Sequence, residues 1–356
     1  MTGEQQTLDP DLVGRYALTT WGYKQGEMVA LMIHLGTRLG LYEALDGAGP
    51  VTSGDLAAAT GLHERWLREW LRGQAAAQLL ASEDGETFLL EPEAATVLAR
   101  SDTPTYAAGV FRSLRDPAVA DALVESFQNG IGLTYDDQGE GSEQHVEAML
   151  APMARALLVP VVIPLLDGVA EKLTAGATVV DVGCGTGLAL ELLADTFPAS
   201  TFAGYDVSER AIAVAQKRFA GSENVAIHLA GGEDLPATGD VDLVMTLDCL
   251  HDMPRPDLAM AAIRGAIAPD GTWLVKEIRS SNEWGKNLRN PVLAMMYATS
   301  VATCMASAMS TPDGLGLGTL GLDPVTLEGM TSEAGFTHFV QHAVDDPTNL
   351  YYEIRP

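Results

Sequence analysis

The distribution of apolar residues divides the chain into an N-terminal helical part and a C-terminal part in which strands alternate with helices. Apolar residues recur at helical spacing over residues 17–45 and again over residues 64–77. A cap signal at Thr52 or Ser53 and a terminating Gly61 predict a short helix between these two. Two short apolar runs, 79–81 and 88–90, flank a polar turn and predict a hairpin. Helix, turn, helix and hairpin together predict a winged-helix arrangement over residues 1–100.

Helical periodicity continues through residues 101–175, which we interpret as a connector that follows the winged helix. Beyond it, short apolar runs alternate with helical segments, the pattern of a parallel sheet with helices on both faces. Parallel strands are expected at 179–182, 201–206, 225–229, 241–247 and 272–278. The last two runs, 336–342 and 349–354, are separated by a short loop and should pair antiparallel. The expected fold is α/β and Rossmann-like, with a seven-stranded sheet that ends in an antiparallel hairpin.

A glycine-rich turn follows the first of these strands and is the strongest local signal in the sequence. Gly183, Gly185 and Gly187 alternate with other residues directly before an apolar helical segment, and Asp181 precedes them. Glycines allow a ligand to approach the backbone closely, and the following helix offers free N–H donors. The dinucleotide fingerprint G-x-G-x-x-G is not met, because Leu188 stands where its third glycine belongs. The spacing therefore argues against a dinucleotide site.

Asp206 gives a second signal, because it ends the next predicted strand about 20 residues beyond the glycine turn. An acid at this distance accepts hydrogen bonds from ribose hydroxyls in dinucleotide folds. The alternative is that Asp206 or Ser208 caps the helix that begins at Glu209. We favour the ribose role, with the neighbouring Val207 also placed in the cofactor site.

Asp181, the three alternating glycines and Asp206 together resemble the cofactor-binding motifs of class I S-adenosylmethionine (SAM) methyltransferases. The resemblance implies SAM as the cofactor, with the glycine turn under its amino-acid tail. It also implies that the segment after the third strand lies near the adenine, with the Gly232 backbone facing the ring. Relatives often carry an aspartate for the adenine amine where this chain has Gly231, so Glu233 or Asp234 is expected to supply that contact. Asp248, at the carboxyl end of the fourth strand, is expected to be close to the cofactor.

His251 is the candidate catalytic base. Residues 247–253 resemble the segment of O-methyltransferases in which a His-Asp pair follows the fourth strand, and the histidine there removes a proton from a substrate hydroxyl. A neutral hydroxyl is a poor nucleophile, so an imidazole with a pKa near ~6.5 suits the reaction. The alternative is a polar cap on the helix that follows. Asp252 could orient the ring.

The winged-helix segment leaves a DNA-binding function open, since Arg65, Arg68 and Arg72 fall on one predicted helix. Glutamates interleave with them, and residues 1–100 hold seven Lys and Arg against fourteen Asp and Glu. The net charge of −27 also argues against nucleic acid as a partner. In the family that the sequence resembles, such a domain serves dimerisation and walls the substrate pocket, so a homodimer is expected.

The three cysteines, Cys184, Cys249 and Cys304, lack the spacing of metal ligands or of a disulfide framework, so no metal is expected. No signal peptide is visible, and an uncharged run at 290–313 is too rich in Ala, Ser, Thr and Met for a membrane span. We interpret it as part of a lid insertion over residues 282–322. The protein is therefore expected to be cytoplasmic, without a membrane partner.

The resemblance implies three regions: a winged-helix-like dimerisation domain (1–100), a helical connector that covers the substrate (101–175) and a SAM-binding methyltransferase domain (176–356). The expected function is transfer of a methyl group from SAM to a small molecule, most simply to a hydroxyl of a secondary metabolite. Alternatives are methylation of nitrogen, sulfur or carbon on the same fold, a SAM-responsive DNA-binding regulator, and a dehydrogenase.

Overall fold

The computed structural model describes residues 8–111 and 116–356. The chain divides into two compact units, Met1–Leu114 and Arg115–Pro356. The connector predicted at 101–175 is therefore shared between them, and most of it belongs to the second unit.

The first unit is built from helices packed around one apolar core. Its helices are α1 (Pro10–Arg38), α2 (Leu41–Leu45), α3 (Ser53–Thr60), α4 (Glu64–Ala76) and α5 (Pro92–Leu98). The single helix predicted at 17–45 is thus two helices, because Gly40 has a φ of 67°, which ends the α-helical geometry. The predicted cap is confirmed at Thr52, which forms a capping box with Asp55, and Gly61 ends α3 as expected.

The wing differs from the predicted hairpin. Strand β1 (Val51–Thr52) pairs antiparallel with β2 (Thr87–Phe88). The predicted partners 79–81 and 88–90 share a single bridge between Ala81 and Leu89. The turn between them satisfies its own backbone, since Asp84 accepts hydrogen bonds from the N–H groups of two residues that follow it. Strand β2 thus pairs with β1, the segment directly before α3. Hydrophobic periodicity cannot reveal this pairing.

The second unit contains a seven-stranded sheet with the strand order β5-β4-β3-β6-β7-β9-β8. The first five strands along this order are parallel, whereas β9 runs antiparallel to both of its neighbours. This confirms the predicted α/β fold with its terminal hairpin. The strands are β3 (Thr178–Val182), β4 (Thr201–Asp206), β5 (Val225–Leu229), β6 (Val241–Leu247), β7 (Ile267–Ile278), β8 (His338–His342) and β9 (Asn349–Arg355).

Strand β7 begins earlier than predicted. The segment Pro269-Asp270-Gly271, which precedes the strand predicted at 272–278, lies within the observed strand as an irregularity: Val241 pairs with Ile267, and Leu243 already pairs with Thr272. A side chain at Gly271 would lie 2.7 Å from the Val241 carbonyl oxygen, so the glycine allows the two strands to stay together there.

Helices cover both faces of the sheet and form the insertion after β7. They are α6 (Pro117–Asn129), α7 (Ser142–Leu157), α8 (Ile163–Leu165), α9 (Val169–Ala175), α10 (Leu188–Thr196), α11 (Glu209–Arg218), α12 (Pro256–Ala266), α13 (Trp284–Asn287), α14 (Leu293–Thr299), α15 (Met305–Ala308) and α16 (Pro324–Glu333). One π-helical segment joins α7 to α8 and another joins α14 to α15. The continuous helix at Ser142–Leu165 is the one described helix long and apolar enough to cross a membrane, a test that core helices of soluble proteins also pass.

Backbone hydrogen bonds join the insertion to the loop between α6 and α7. Gly132 and Leu133 donate backbone hydrogen bonds to the carbonyl oxygens of Met309 and Ala306, at 2.7 and 2.9 Å. A side chain at Gly132 would lie 1.9 Å from the Ala306 oxygen, so only glycine fits. The loop and α15 therefore pack backbone against backbone.

Candidate active site

The glycine turn has a left-handed backbone conformation, and its inner side is covered by other residues. Gly183, Gly185 and Gly187 have φ values of 74°, 53° and 84°, which other residues rarely adopt. A side chain at Gly183 would lie 2.7 Å from Cys249, whereas one at Gly185 would meet nothing within 4 Å. The turn is therefore closed on its inner side and open at Gly185, where a ligand can approach the backbone.

Asp206 lies beside this turn at the end of β4. Its Oδ2 accepts a hydrogen bond from the Gly185 N–H at 2.8 Å, and its Oδ1 accepts one from the Ser208 N–H at 2.8 Å. Burial raises the pKa of Asp206, against the effect of these backbone donors. Ser208 caps α11 with its side chain. The capping role considered as the alternative for Asp206 therefore belongs to Ser208. Val207 is exposed next to them.

Asp181 is the buried acid under the turn. Its side chain is almost fully enclosed, and its Oδ1 has no hydrogen-bond partner among the described residues. Burial, with a smaller contribution from Asp206, raises the pKa of Asp181 to about 8. Two neighbouring acids that lack a cation between them fit a positively charged ligand such as SAM, whose amino group and sulfonium both carry charge.

A half-buried ion pair supports the turn from the side of α7. Arg218 donates to Glu147 Oε1 at 2.7 Å and to the Thr186 carbonyl oxygen at 2.9 Å, and the Thr186 hydroxyl also donates to Glu147. This network fixes the turn between α7 and α11. Sequence reasoning missed it, because the three residues lie far apart in the chain and none stands out locally.

The remaining predicted cofactor residues are less closely grouped. Gly232 is buried against the end of β3, since a side chain there would lie 2.8 Å from Val182, whereas Glu233 is exposed. Asp248 has a left-handed backbone, with a φ of 59°. Its carboxylate accepts hydrogen bonds from Lys276 and Asn349. The side chain of Asp248 is thus already engaged by the sheet, which the sequence does not indicate.

His251 is buried on the 3₁₀ turn after β6 and is held from both sides. Its Nδ1 lies 2.5 Å from Glu277 Oε2, and the other oxygen of Glu277 accepts the Leu250 N–H at 3.0 Å. Its Nε2 lies 3.0 Å from Asp252 Oδ1, an ion-pair distance without hydrogen-bond alignment. Tyr135 donates its hydroxyl to the other oxygen of Asp252. The carboxylate of Glu277 thus selects the tautomer with its proton on Nδ1.

Two carboxylates dominate the electrostatics of this histidine. Burial alone lowers the pKa of His251, but Asp252 and Glu277 outweigh it and raise that pKa well above the ordinary value. Burial raises the pKa of Glu277, whereas His251 holds the pKa of Asp252 below its usual range despite burial. A histidine flanked in this way is a strong base that is stabilised once it has accepted a proton.

Glu277 and Tyr135 were not predicted from the sequence. Glu277 stands in a strand buried on both faces, where periodicity does not mark it. A polar residue in an otherwise apolar buried strand is the one signal that could have drawn attention to it.

The comparisons with known proteins agree with this geometry. A methyltransferase-domain family matches residues 173–326, and an Rv2258c-like winged HTH domain matches residues 27–100. The chain therefore carries a methyltransferase domain that follows a winged-helix domain, which confirms the predicted class of protein.

One similar protein is a ubiquinone biosynthesis O-methyltransferase of Thiobacillus denitrificans, 29% identical over 45% of this chain and 65% of that protein. The curated relatives are thus matched over less than two thirds of their own length. Among solved structures, the mitomycin 7-O-methyltransferase MmcR has a TM-score of 0.68 at 18% identity, with 98% of this chain and 99% of that one covered. Human N-acetylserotonin methyltransferase in complex with SAM has a TM-score of 0.66 at 16% identity, with 99% of each covered. These two structures share the fold.

Proposed function

We propose that the protein transfers a methyl group from SAM to a hydroxyl of a small molecule, of the kind found in secondary metabolism. The observation that carries the proposal is the buried His251, whose Nδ1 faces Glu277 at 2.5 Å and whose Nε2, 3.0 Å from Asp252 Oδ1, is the nitrogen that acts as the base. Two similar proteins, the ubiquinone biosynthesis O-methyltransferase and the mitomycin 7-O-methyltransferase, are named for methylation of oxygen, which supports the choice of oxygen.

When bound, SAM supplies an electrophilic methyl group on a sulfonium. His251 removes the proton from the acceptor hydroxyl through Nε2 as the oxygen attacks, and the proton stays on the imidazole. Glu277 keeps the ring in the required tautomer, and both flanking carboxylates stabilise the imidazolium. The enclosed position of the ring excludes water from this proton transfer.

For the cofactor we propose that Asp181 meets the positive amino-acid end and that Gly183, Gly185 and Gly187 form its floor. Asp206, next to Val207, is placed to accept the ribose hydroxyls, and Gly232 and Glu233 border the adenine. Asp248 is already bonded to Lys276 and Asn349, which supports a role in shaping the strand end without direct contact.

The test is incubation of the protein with SAM and matched acceptors that differ only in the accepting group: phenol, carboxylic acid, amine and thiol. Mass spectrometry should find the added methyl on the hydroxyl compound. Methylation confined to amines or thiols would contradict the choice of oxygen while leaving the methyltransferase assignment intact.

The DNA-binding alternative is weakened by the arginines of α4. Arg65 pairs with Glu69 at 2.8 Å and Arg68 with Glu64 at 2.9 Å, and Arg72 pairs with Glu86. A face whose cations are already paired is a poor phosphate-binding surface. We therefore propose no nucleic-acid or membrane partner and a cytoplasmic location. A salt-sensitive gel shift with duplex DNA would support the alternative function as a DNA-binding regulator.

SAM binding is expected to release protons at pH 7, because Asp181 has a pKa of about 8 in the free protein and must ionise to meet a cation. Affinity should therefore weaken as the pH falls below about 8. Calorimetry in buffers with different ionisation enthalpies measures the released protons. Asp181→Asn should bind without this release; equal release in both proteins would contradict the assignment.

We also propose a homodimer formed through the first unit. The face of α1 and its C-terminal cap still exposes Met28, Leu35 and Leu39, although Ile33 is buried within the unit. Light scattering should give about twice the chain mass of 37.6 kDa. The double variant Met28→Asp, Leu35→Asp should dissociate, whereas Trp284→Asp, an equally exposed apolar residue elsewhere, should not. A monomeric wild-type protein would refute the proposal.

A further inference from the structure

Three potential metal ligands of different chemistry converge beside the catalytic base. One ligand atom each from His251, Asp252 and Cys304 lies within 4.8 Å of the others, and all three residues are buried. Cys304 comes from the π-helical segment between α14 and α15, so the cluster joins the turn after β6 to the insertion. The sequence predicts no metal here, because these residues have no ligand spacing along the chain.

We propose that His251, Asp252 and Cys304 form a binding site for a zinc-class divalent cation, and that its occupancy inhibits methyl transfer. Nitrogen, thiolate and carboxylate are the ligand types that zinc accepts, at about 2.0 to 2.3 Å. In a tetrahedral site two such ligand atoms lie roughly 3.3 to 3.8 Å apart. The ligand atoms of the cluster, which lie within 4.8 Å of one another, therefore have to approach by about 1 Å to close on an ion. The inhibitory part rests on the proposed function.

Asp252 Oδ1 is an independent indication of a ligand. It is buried in the cluster and has no hydrogen-bond partner among the described residues. Tyr135 holds the other oxygen of this carboxylate and thereby aims Oδ1 toward the imidazole. His251 Nε2 lies 3.0 Å from Oδ1 but is not aligned to donate a hydrogen bond, and a cation bound by both atoms would satisfy this buried acceptor.

Glu277 contacts the other ring nitrogen of His251, Nδ1. Metal-bound histidines usually donate their second ring N–H to a carboxylate, which orients the ring and strengthens the ligand. Glu277 Oε2 lies 2.5 Å from Nδ1 and leaves Nε2 for the ion. The same lone pair on Nε2 accepts the substrate proton, so metal and acceptor hydroxyl compete for it.

Three protein ligands leave one tetrahedral position, which water or the acceptor can fill. The expected effect is still inhibition, because the base has lost its lone pair. Removal of the cation by a chelator should restore the rate.

The test uses the full chain without a histidine tag and Co²⁺ as an optical probe of the site. We expect one bound Co²⁺ per chain with a thiolate-to-cobalt charge-transfer band, displaced by Zn²⁺. Cys304→Ser should lose the band and weaken Zn²⁺ binding at least about tenfold, as loss of even an outer-shell partner does. Cys184→Ser, which alters a buried thiol outside the cluster, should keep the cobalt band and the Zn²⁺ affinity of the wild type.

Cobalt bound without a thiolate band, or equal Zn²⁺ affinity in Cys304→Ser, would overturn the site. Zn²⁺ bound at the site without loss of methyl transfer would overturn the shared use of Nε2. The cobalt spectrum needs no acceptor, so the metal site can fail while the methyltransferase stands. Conversely, full turnover by a His251→Ala enzyme would defeat the proposed function whatever the spectrum shows.

Discussion

His251→Ala is expected to lower methyl transfer to a hydroxyl acceptor by ~10²–10⁴, the usual cost of losing a positioned base. The residue is enclosed, and water cannot readily replace an imidazole whose Nδ1 is fixed by Glu277. SAM affinity should change little, because the glycine turn and Asp206 do not depend on this ring. Initial rates and calorimetric SAM affinity, measured on the same preparation, separate the two effects.

A matched control is His342→Ala. His342 Nε2 lies 2.9 Å from Glu353 in the terminal hairpin, so this variant also deprives a carboxylate of its histidine. Its rate should stay near the wild-type value. Near-normal turnover by His251→Ala would remove the base assignment and shift the accepting atom to sulfur or nitrogen, which lose a proton more readily.

The pH profile should report the same histidine. Asp252 and Glu277 hold the pKa of His251 well above its ordinary value. Tyr135, Cys249, Cys304 and Asp248 are further titratable groups near these residues. The base acts only when neutral, so the rate should rise with pH and keep rising above neutrality. Glu277→Gln removes one of these carboxylates and should move this limb to lower pH. An unchanged limb would contradict the role of Glu277 in orienting and charging the ring.

Asp206→Ala is expected to weaken SAM binding at least about tenfold. Charge-assisted hydrogen bonds contribute roughly 1.5–3 kcal/mol each, and 1.4 kcal/mol corresponds to a factor of ten. The carboxylate also accepts the Gly185 N–H at 2.8 Å, so its loss loosens the turn itself. Asp206→Asn keeps the shape of the side chain and one acceptor oxygen. Its SAM affinity should therefore lie between those of the wild type and Asp206→Ala. Isothermal calorimetry gives all three affinities.

Asp242→Ala is the control for this prediction. Asp242 also accepts a backbone hydrogen bond, from Thr178 at 2.9 Å, but at the opposite end of the sheet. It should bind SAM as the wild type does. If both variants weaken binding equally, the effect is a general loss of stability and the ribose assignment falls.

The sequence was sufficient for most of the second unit. Strands β4, β5 and β6 have the predicted bounds, because each is a short apolar run between clear turn signals. The glycine turn was equally accessible, since its glycines stand in one short stretch of the sequence. The site beyond the turn was not. Glu277 reaches His251 and Tyr135 reaches Asp252 from distant segments, and no local pattern encodes these contacts.

The pairing in the wing was predicted wrongly for the same reason that Glu277 and Tyr135 were missed. The hairpin at 79–81 and 88–90 was inferred from neighbouring runs, whereas the main partner of β2 lies before α3. Pairing between segments far apart in the chain is decided by packing of the whole unit, which hydrophobic periodicity does not report.

The contact of Gly132 with Ala306 has a consequence for redesign of acceptor preference. The loop and α15 fit each other through main-chain atoms, with no side chain between them to absorb a change of length or angle. Grafting the insertion of another methyltransferase onto this chain would therefore leave the loop without its counterpart. The two segments form one exchangeable cassette, and chimaeras should transplant residues 130–133 together with 282–322.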